Sequence, residues 1–272
     1  MDKPEFTETA QACIYFHNGY VLFLGKSTDT AVHSHHMFQI FIGLKKEFRL
    51  FINGKWIKSR LIIADADVSH QFDGNNEWHA LLLIDPETDT ARKLKQKIKN
   101  NAYIEPDFSL IEKTSDRLIE CCEKKCFAAH ASGIINELIT SAVDEEIISA
   151  PKDERILRII SYINTTQEIS PEIKNLAEMI HLSKSRLVHL FTIETGIPLR
   201  RYFLWRKLIN AVNHIIRGMD FTDAAFAAGF SDSAHLSRTF KKMFGVTLLN
   251  LFKNYSNSLF IQVITDNSDY IQ

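Results

Sequence analysis

The chain has 272 residues, 45% of them apolar, and carries 32 Lys and Arg against 33 Asp and Glu. That is enough for one large core or two modest ones, and the apolar fraction excludes a disordered chain. The first residues, Met1 to Glu5, are charged, and no apolar run approaches the roughly 20 residues of a membrane span, so a soluble cytoplasmic protein with no membrane partner is expected. The near-neutral total hides a division. Residues 1–150 hold 17 basic and 22 acidic side chains, whereas residues 151–255 hold 15 and 9. A basic C-terminal part suits a phosphate backbone.

From about Cys13 to Leu83 the pattern is that of strands. Tyr20–Leu24, Phe38–Leu44, Phe48–Ile52, Leu61–Ile63 and His79–Ile84 are short, apolar and separated by turn residues. Asn53-Gly54 favours positive φ at both central positions of a hairpin. Several short strands in such a span predict a small sandwich or jelly-roll barrel.

Within it, His33-Ser34-His35 places His33, His35, Met37 and Gln39 on one strand face, and His70 comes from a later strand region. Three readings are open. His33, His35 and His70 can supply imidazoles to a metal ion, with Gln39 a weak fourth ligand. Alternatively, His33, His35, Gln39 and His70 are the polar groups of an effector pocket lined by Phe38, Trp56, Trp78 or Met37. The third reading is histidines with no ligand. No paired acid and base accompanies them, so an enzyme is not expected and no cofactor is assigned. The pattern resembles the HxH(x)3E and later His of cupins, with Gln39 in the Glu position. A metal-dependent cupin enzyme or metal sensor fused to a DNA-binding module is the alternative that this resemblance implies.

Helical periodicity follows Asp85-Pro86. Glu87 to Lys99 reads as a short charged connector. Phe108 to Lys125 carries Ile111, Thr114, Leu118 and Cys122 on one stripe, and His130 to Val143 carries Ile134, Ile135, Leu138, Ile139 and Ala142. Such a pair either docks on the strands or forms a homodimer seam. Of the four cysteines, Cys122 and Cys126 are four apart and suited to a soft metal or to oxidation, although buried or idle thiols are the favoured reading for Cys13, Cys121, Cys122 and Cys126. Asp144 to Lys152 reads as a linker. Ser170-Pro171-Glu172 reads as an N-cap with Pro at the first helical position.

Beyond the linker a pattern occurs twice. Leu176-Ala177, Leu182-Ser183, Leu187, Phe191 and Gly196 return as Ala224-Ala225, Phe230-Ser231, Leu236, Phe240 and Gly245, offset by 48 residues up to the serine and 49 after it. A repeat marks one supersecondary unit used again. Each copy reads as a short helix, a turn and a second helix with one apolar face. The opposite face carries Ser185, His189 and Thr192 with Arg186 alongside in the first copy. In the second it carries Ala234, Arg238 and Lys241, flanked by His235 and Lys242. Small, polar and cationic residues without an acid suit a helix entering the major groove. Leu199 to Arg217 reads as a single spacer helix of about 28 Å, close to one turn of B-DNA at roughly 34 Å. Two recognition helices would then reach successive groove segments. Arg200, Arg201, Arg206 and Lys207 are candidate phosphate contacts.

These motifs, and GFSDSAHLSRTFKKMFG above all, resemble the DNA-binding domain of AraC/XylS-type transcription regulators over about Asp153 to Tyr255. The resemblance implies seven helices holding two helix-turn-helix units, base contacts from Ser185, Val188 and His189 and from Ser233, Ala234, His235, Ser237 and Arg238, and a barrel serving as effector domain. Leu248, Leu251 and Phe252 stand where the family commonly has Pro and an aromatic-Arg pair, with Lys253 as a substitute phosphate contact. The expectation is an α+β multidomain chain: a cupin-like barrel over 1–86, helices over 87–148, an all-α DNA-binding domain over 149–255 and an extension over 256–272. Its partners would be double-stranded promoter DNA, a small-molecule effector, RNA polymerase if it is an activator, and a second copy of itself.

Overall fold

A computed structural model describes residues 12–17, 19–26, 29–126, 128–142, 153–166, 168, 171–250 and 259–263. Two units divide the chain: residues 1–148 with 241–272, and residues 149–240. The expected linker lies outside the described residues.

Among the described residues the first unit has ten strands: β1 (Ala12–His17), β2 (Tyr20–Gly25), β3 (Phe38–Gly43), β4 (Phe48–Ile52), β5 (Lys55–Ser59), β6 (Leu61–Ala64), β7 (His70–Asp73), β8 (His79–Ile84), β9 (Tyr103–Ile104) and β10 (Leu259–Val263). Seven form one sheet in the order β10-β1-β2-β8-β3-β6-β9, and three form a second in the order β5-β4-β7. This corrects the barrel expectation. The sheets keep separate edges instead of closing on themselves, and the β5 edge exposes Lys55 and Lys58, charges that discourage further pairing. Asn53 and Gly54 join β4 to β5 with φ of 52° and 75°, the backbone a tight hairpin needs. The apolar extension returns to the first unit, where β10 pairs in parallel with β1, Ala12 opposite Leu259.

Strands β2, β3 and β8 are buried along their whole length, because both faces of the large sheet are covered. One face, with Leu22, Leu24, Phe38, Ile40, Ile42, Leu82 and Ile84, packs on three helices, α1 (Asp89–Ile98), α2 (Glu112–Glu123) and α3 (Ala128–Ala142). Thr88 caps α1 by accepting from the Ala91 amide. Leu118, Cys122, Ile134, Ile135, Leu138 and Ala142 sink into this core, so the expected stripes serve packing within the chain. The other face meets the small sheet through aromatic rings, Phe41 against Phe48 and Phe72. Cys122 does not pair with Cys126: a disulfide joins it to Cys13 on β1, 109 residues away. Cys121 is buried beside the Tyr15 hydroxyl, and burial pushes its thiol up to about 12.

The second unit is helical: α4 (Glu154–Thr165), α5 (Ile173–Met179), α6 (Lys184–Thr195), α7 (Leu199–Ile216) and α8 (Phe221–Ala227), leading into α9 (Ser233–Phe244). Ile156, Ile159, Leu176, Leu187, Phe191, Leu199 and Tyr202 form a core shared by α4 to α7. The Tyr202 hydroxyl donates to Asn164 at 3.0 Å and ties α7 to α4. Further along α7, Trp205, Leu208, Val212 and Ile215 are buried in turn. The spacer is 18 residues long, about 27 Å. The expected cap before α5 is displaced. Glu172 is the N-cap residue, Pro171 precedes it, and Ser170 lies outside the described residues. Residues 248–250 are helical, while Leu251, Phe252 and Lys253 lie outside the described residues.

Candidate nucleic-acid interface and histidine cluster

The two repeats fold as helix, turn and helix, α5 with α6 and α8 with α9. Each second helix starts on a side chain that satisfies an otherwise unpaired amide. The Ser183 hydroxyl accepts from the Arg186 amide at 3.3 Å, and the Asp232 carboxylate accepts from the His235 amide at 2.6 Å. The cap therefore falls on the second residue after Phe230 but on the first after Leu182, which accounts for the single-residue change of offset. Ser231 donates to the same carboxylate at 3.0 Å. The His235 amide and Ser231 hydroxyl together hold Asp232 below its usual carboxylate range.

In α6, Leu187, Leu190 and Phe191 are buried, while Ser185, Arg186 and His189 are exposed and Val188 is half-buried. In α9, Leu236, Phe240 and Met243 are buried. Ala234, Arg238 and Lys241 are exposed, and Ser233, His235 and Ser237 are half-buried. Among the described residues no ion pair engages Arg186, Arg238 or Lys241. A cleft of about 870 Å³ beside α6 is lined by Ser185, Val188 and His189 and flanked by Lys174, Lys184 and Arg200, with Glu172 the one acid. Lys174 and Lys184 are missing from the sequence reading. Their only signal is position, Lys184 being the first residue of α6 and Lys174 the second of α5. Lys207 is otherwise occupied, donating to the Gly229 carbonyl at 3.2 Å.

In the first unit, the segment before β3 runs antiparallel to the start of β7. His33 and His70 exchange backbone hydrogen bonds of 3.0 and 2.9 Å, and the Asp67 amide donates to the His35 carbonyl at 2.7 Å. This brings His33, His35 and His70 together, with ring centroids 4.3 to 5.6 Å apart. Gln39 joins them, its Oε1 2.8 Å from His35 Nε2. Trp78 does not join them. It belongs to the helix-covered face of the large sheet, as does Phe38, and Trp56 is 47% exposed. Burial, followed by the neighbouring His70 and His33, holds the His35 imidazole well below the usual histidine range. Burial first and His33 second lower His70 to about 4. The cluster is therefore neutral near pH 7, with unprotonated ring nitrogens available.

Residues 176–254 match the family described as a helix-turn-helix domain. Solved structures of ToxT from Vibrio cholerae share the fold at low identity. An apo form of a ToxT variant with a single lysine-to-alanine change, from strain SCE256, is 9% identical, with a TM-score of 0.56 over 89% of this chain and 99% of that one. ToxT of O395 bound to (E)-4-(8-methylnaphthalen-1-yl)but-3-enoic acid is 11% identical, with a TM-score of 0.55 over 87% and 99%. Unsaturated fatty acid bound ToxT of strain SCE256 is 11% identical, with a TM-score of 0.50 over 93% and 97%. No helix among the described residues is long and apolar enough to cross a membrane.

Proposed function

We propose, on the premise that residues 176–254 are an AraC-type helix-turn-helix domain, that the chain is a sequence-specific regulator of transcription. Its first unit binds a small-molecule effector. The observation that carries the reading is the duplicated, similarly capped second helix. Its outer face is free of acids and holds Arg186 in one copy and Arg238 with Lys241 in the other. Ser185, Val188 and His189 read one groove segment, and Ser233, Ala234, His235, Ser237 and Arg238 read the next. Lys184 and Arg200 neutralise phosphates at the margin of the α6 cleft.

Effector control rests on the shared two-part fold and on an aromatic and histidine layer between the two sheets. Carboxylic acids with an apolar body, the kind of molecule bound to ToxT, are the first effectors to try. Activation through RNA polymerase is the sense that the family resemblance favours.

The test is capture and sequencing of genomic fragments on the full chain, with and without such acids, followed by gel shifts at several salt concentrations. Recovery of a recurrent two-part site, with affinity falling steeply as salt rises, is expected. Enrichment no better than that of random fragments would overturn the reading.

A further inference from the structure

We propose that His33, His35 and His70 form a binding site for one divalent transition-metal ion, of which Zn2+ is the first candidate. Each of the three offers one ligand atom, and these atoms lie within 4.8 Å of one another. The separation suits nitrogens converging on one ion after small side-chain adjustments.

The orientation of the rings is the stronger argument. His33 Nδ1 is 2.9 Å from the Ala31 carbonyl, His70 Nδ1 is 2.9 Å from the Val68 carbonyl, and His35 Nδ1 is 3.2 Å from the Met37 carbonyl. A carbonyl oxygen only accepts, so each Nδ1 carries the proton and each Nε2 keeps its lone pair. Backbone carbonyls behind the rings are how proteins fix imidazoles for ligation. His70 Nε2 is buried and has no hydrogen-bond partner in the protein, and a buried acceptor left unmade is costly. His35 Nε2 faces Gln39 Oε1 at 2.8 Å. With the proton on Nδ1, His35 Nε2 keeps its lone pair for an ion, and the Gln39 amide beside it supplies the oxygen of a fourth donor once side chains adjust.

The donor set also selects the ion. Three imidazoles and an amide oxygen, without a carboxylate in the cluster, suit Zn2+ and its first-row neighbours and not the oxygen-seeking Ca2+ or Mg2+. The site is made by long-range pairing, since the backbone bonds between His33 and His70 set the spacing before any ion arrives. The inference stands apart from the DNA-binding reading, and the two fail in different assays.

The experiment uses the full chain, stripped with a chelator, titrated with Zn2+ by calorimetry and loaded with Co2+ for visible absorption. We expect about one Zn2+ per chain and the intense bands of four-coordinate, nitrogen-rich Co2+. His35→Ala and His70→Ala should each weaken binding at least roughly tenfold. His79→Gln, a buried histidine outside the cluster, should keep the wild-type affinity. Absence of stoichiometric Zn2+ in the wild type, a pale six-coordinate Co2+ spectrum, or unchanged affinity in the His35→Ala/His70→Ala protein would overturn the proposal. The wild-type spectrum decides the matter even if the variants fold poorly.

Discussion

The amide of Phe230 donates to the carbonyl of Ala225 at 2.9 Å. Leu182 makes the same bond to Ala177 at the same distance, and inside each sits one that closes a smaller loop, Gly229 to Phe226 at 2.9 Å and His181 to Glu178 at 3.1 Å. Both turns are thus the same paired closure of a helix end, which needs a left-handed residue at its centre. Gly229 supplies it with φ of 77°, but His181 is forced to 54°.

Left-handed backbone costs a residue with Cβ about 1–2 kcal/mol. Gly229→Ala should destabilise the helical unit by roughly that amount. His181→Gly should stabilise it by about 1 kcal/mol, because the exposed imidazole contributes little packing. Urea denaturation followed by circular dichroism measures both, and a destabilised His181→Gly would contradict the strain argument.

The cap on α9 predicts a pH effect. The folded Asp232 titrates below its ordinary value of 3.8, held there by the His235 amide and Ser231 hydroxyl. Its contribution is present above 3.8 and is lost as pH falls through the lower folded value. Asp232→Asn should therefore flatten the acid limb of stability, leaving the shape of the curve near neutrality unchanged. Ser183→Ala, the corresponding change on α6, should cost about 1 kcal/mol with no such pH dependence.

Arg238→Ala should cost roughly 1–3 kcal/mol of sequence-specific binding and relax the preference at one base position. Arg186→Ala, beside the Ser185 and His189 face and given no base contact here, should weaken all sequences alike and lower the salt slope by about 1. Gel-shift titrations across salt separate the two. Equal behaviour of both variants would mean that the two arginines have been assigned the wrong contacts.

The Cys13–Cys122 disulfide closes a long loop between β1 and α2. Alkylation of the denatured, unreduced chain should label Cys121 and Cys126 and spare the other two. Cys13→Ser should lower the stability of the first unit by roughly 2–4 kcal/mol. Labelling of all four thiols in protein purified without reductant would remove the cross-link from the account.

Removing residues 256–272 should uncover the β1 edge that β10 pairs with. An unpaired edge invites association between chains. Light scattering on heating should rise earlier in the truncated protein, and identical curves would show that β10 contributes nothing to protecting it.

The local features were legible from residue order. The duplicated helix pairs, the acid-free faces of α6 and α9, the spacer helix and the Asn53-Gly54 turn each depend on neighbours a few positions apart, where periodicity and backbone preference act directly. Tertiary structure decided the rest. The antiparallel run that sets His33 against His70, the bond between Cys13 and Cys122, the side of the sheet on which Trp78 falls and the return of β10 to β1 all join distant positions. Such pairings are chosen by which apolar faces can be covered at once, a property of the assembled sheets and helices that no single stretch of chain carries.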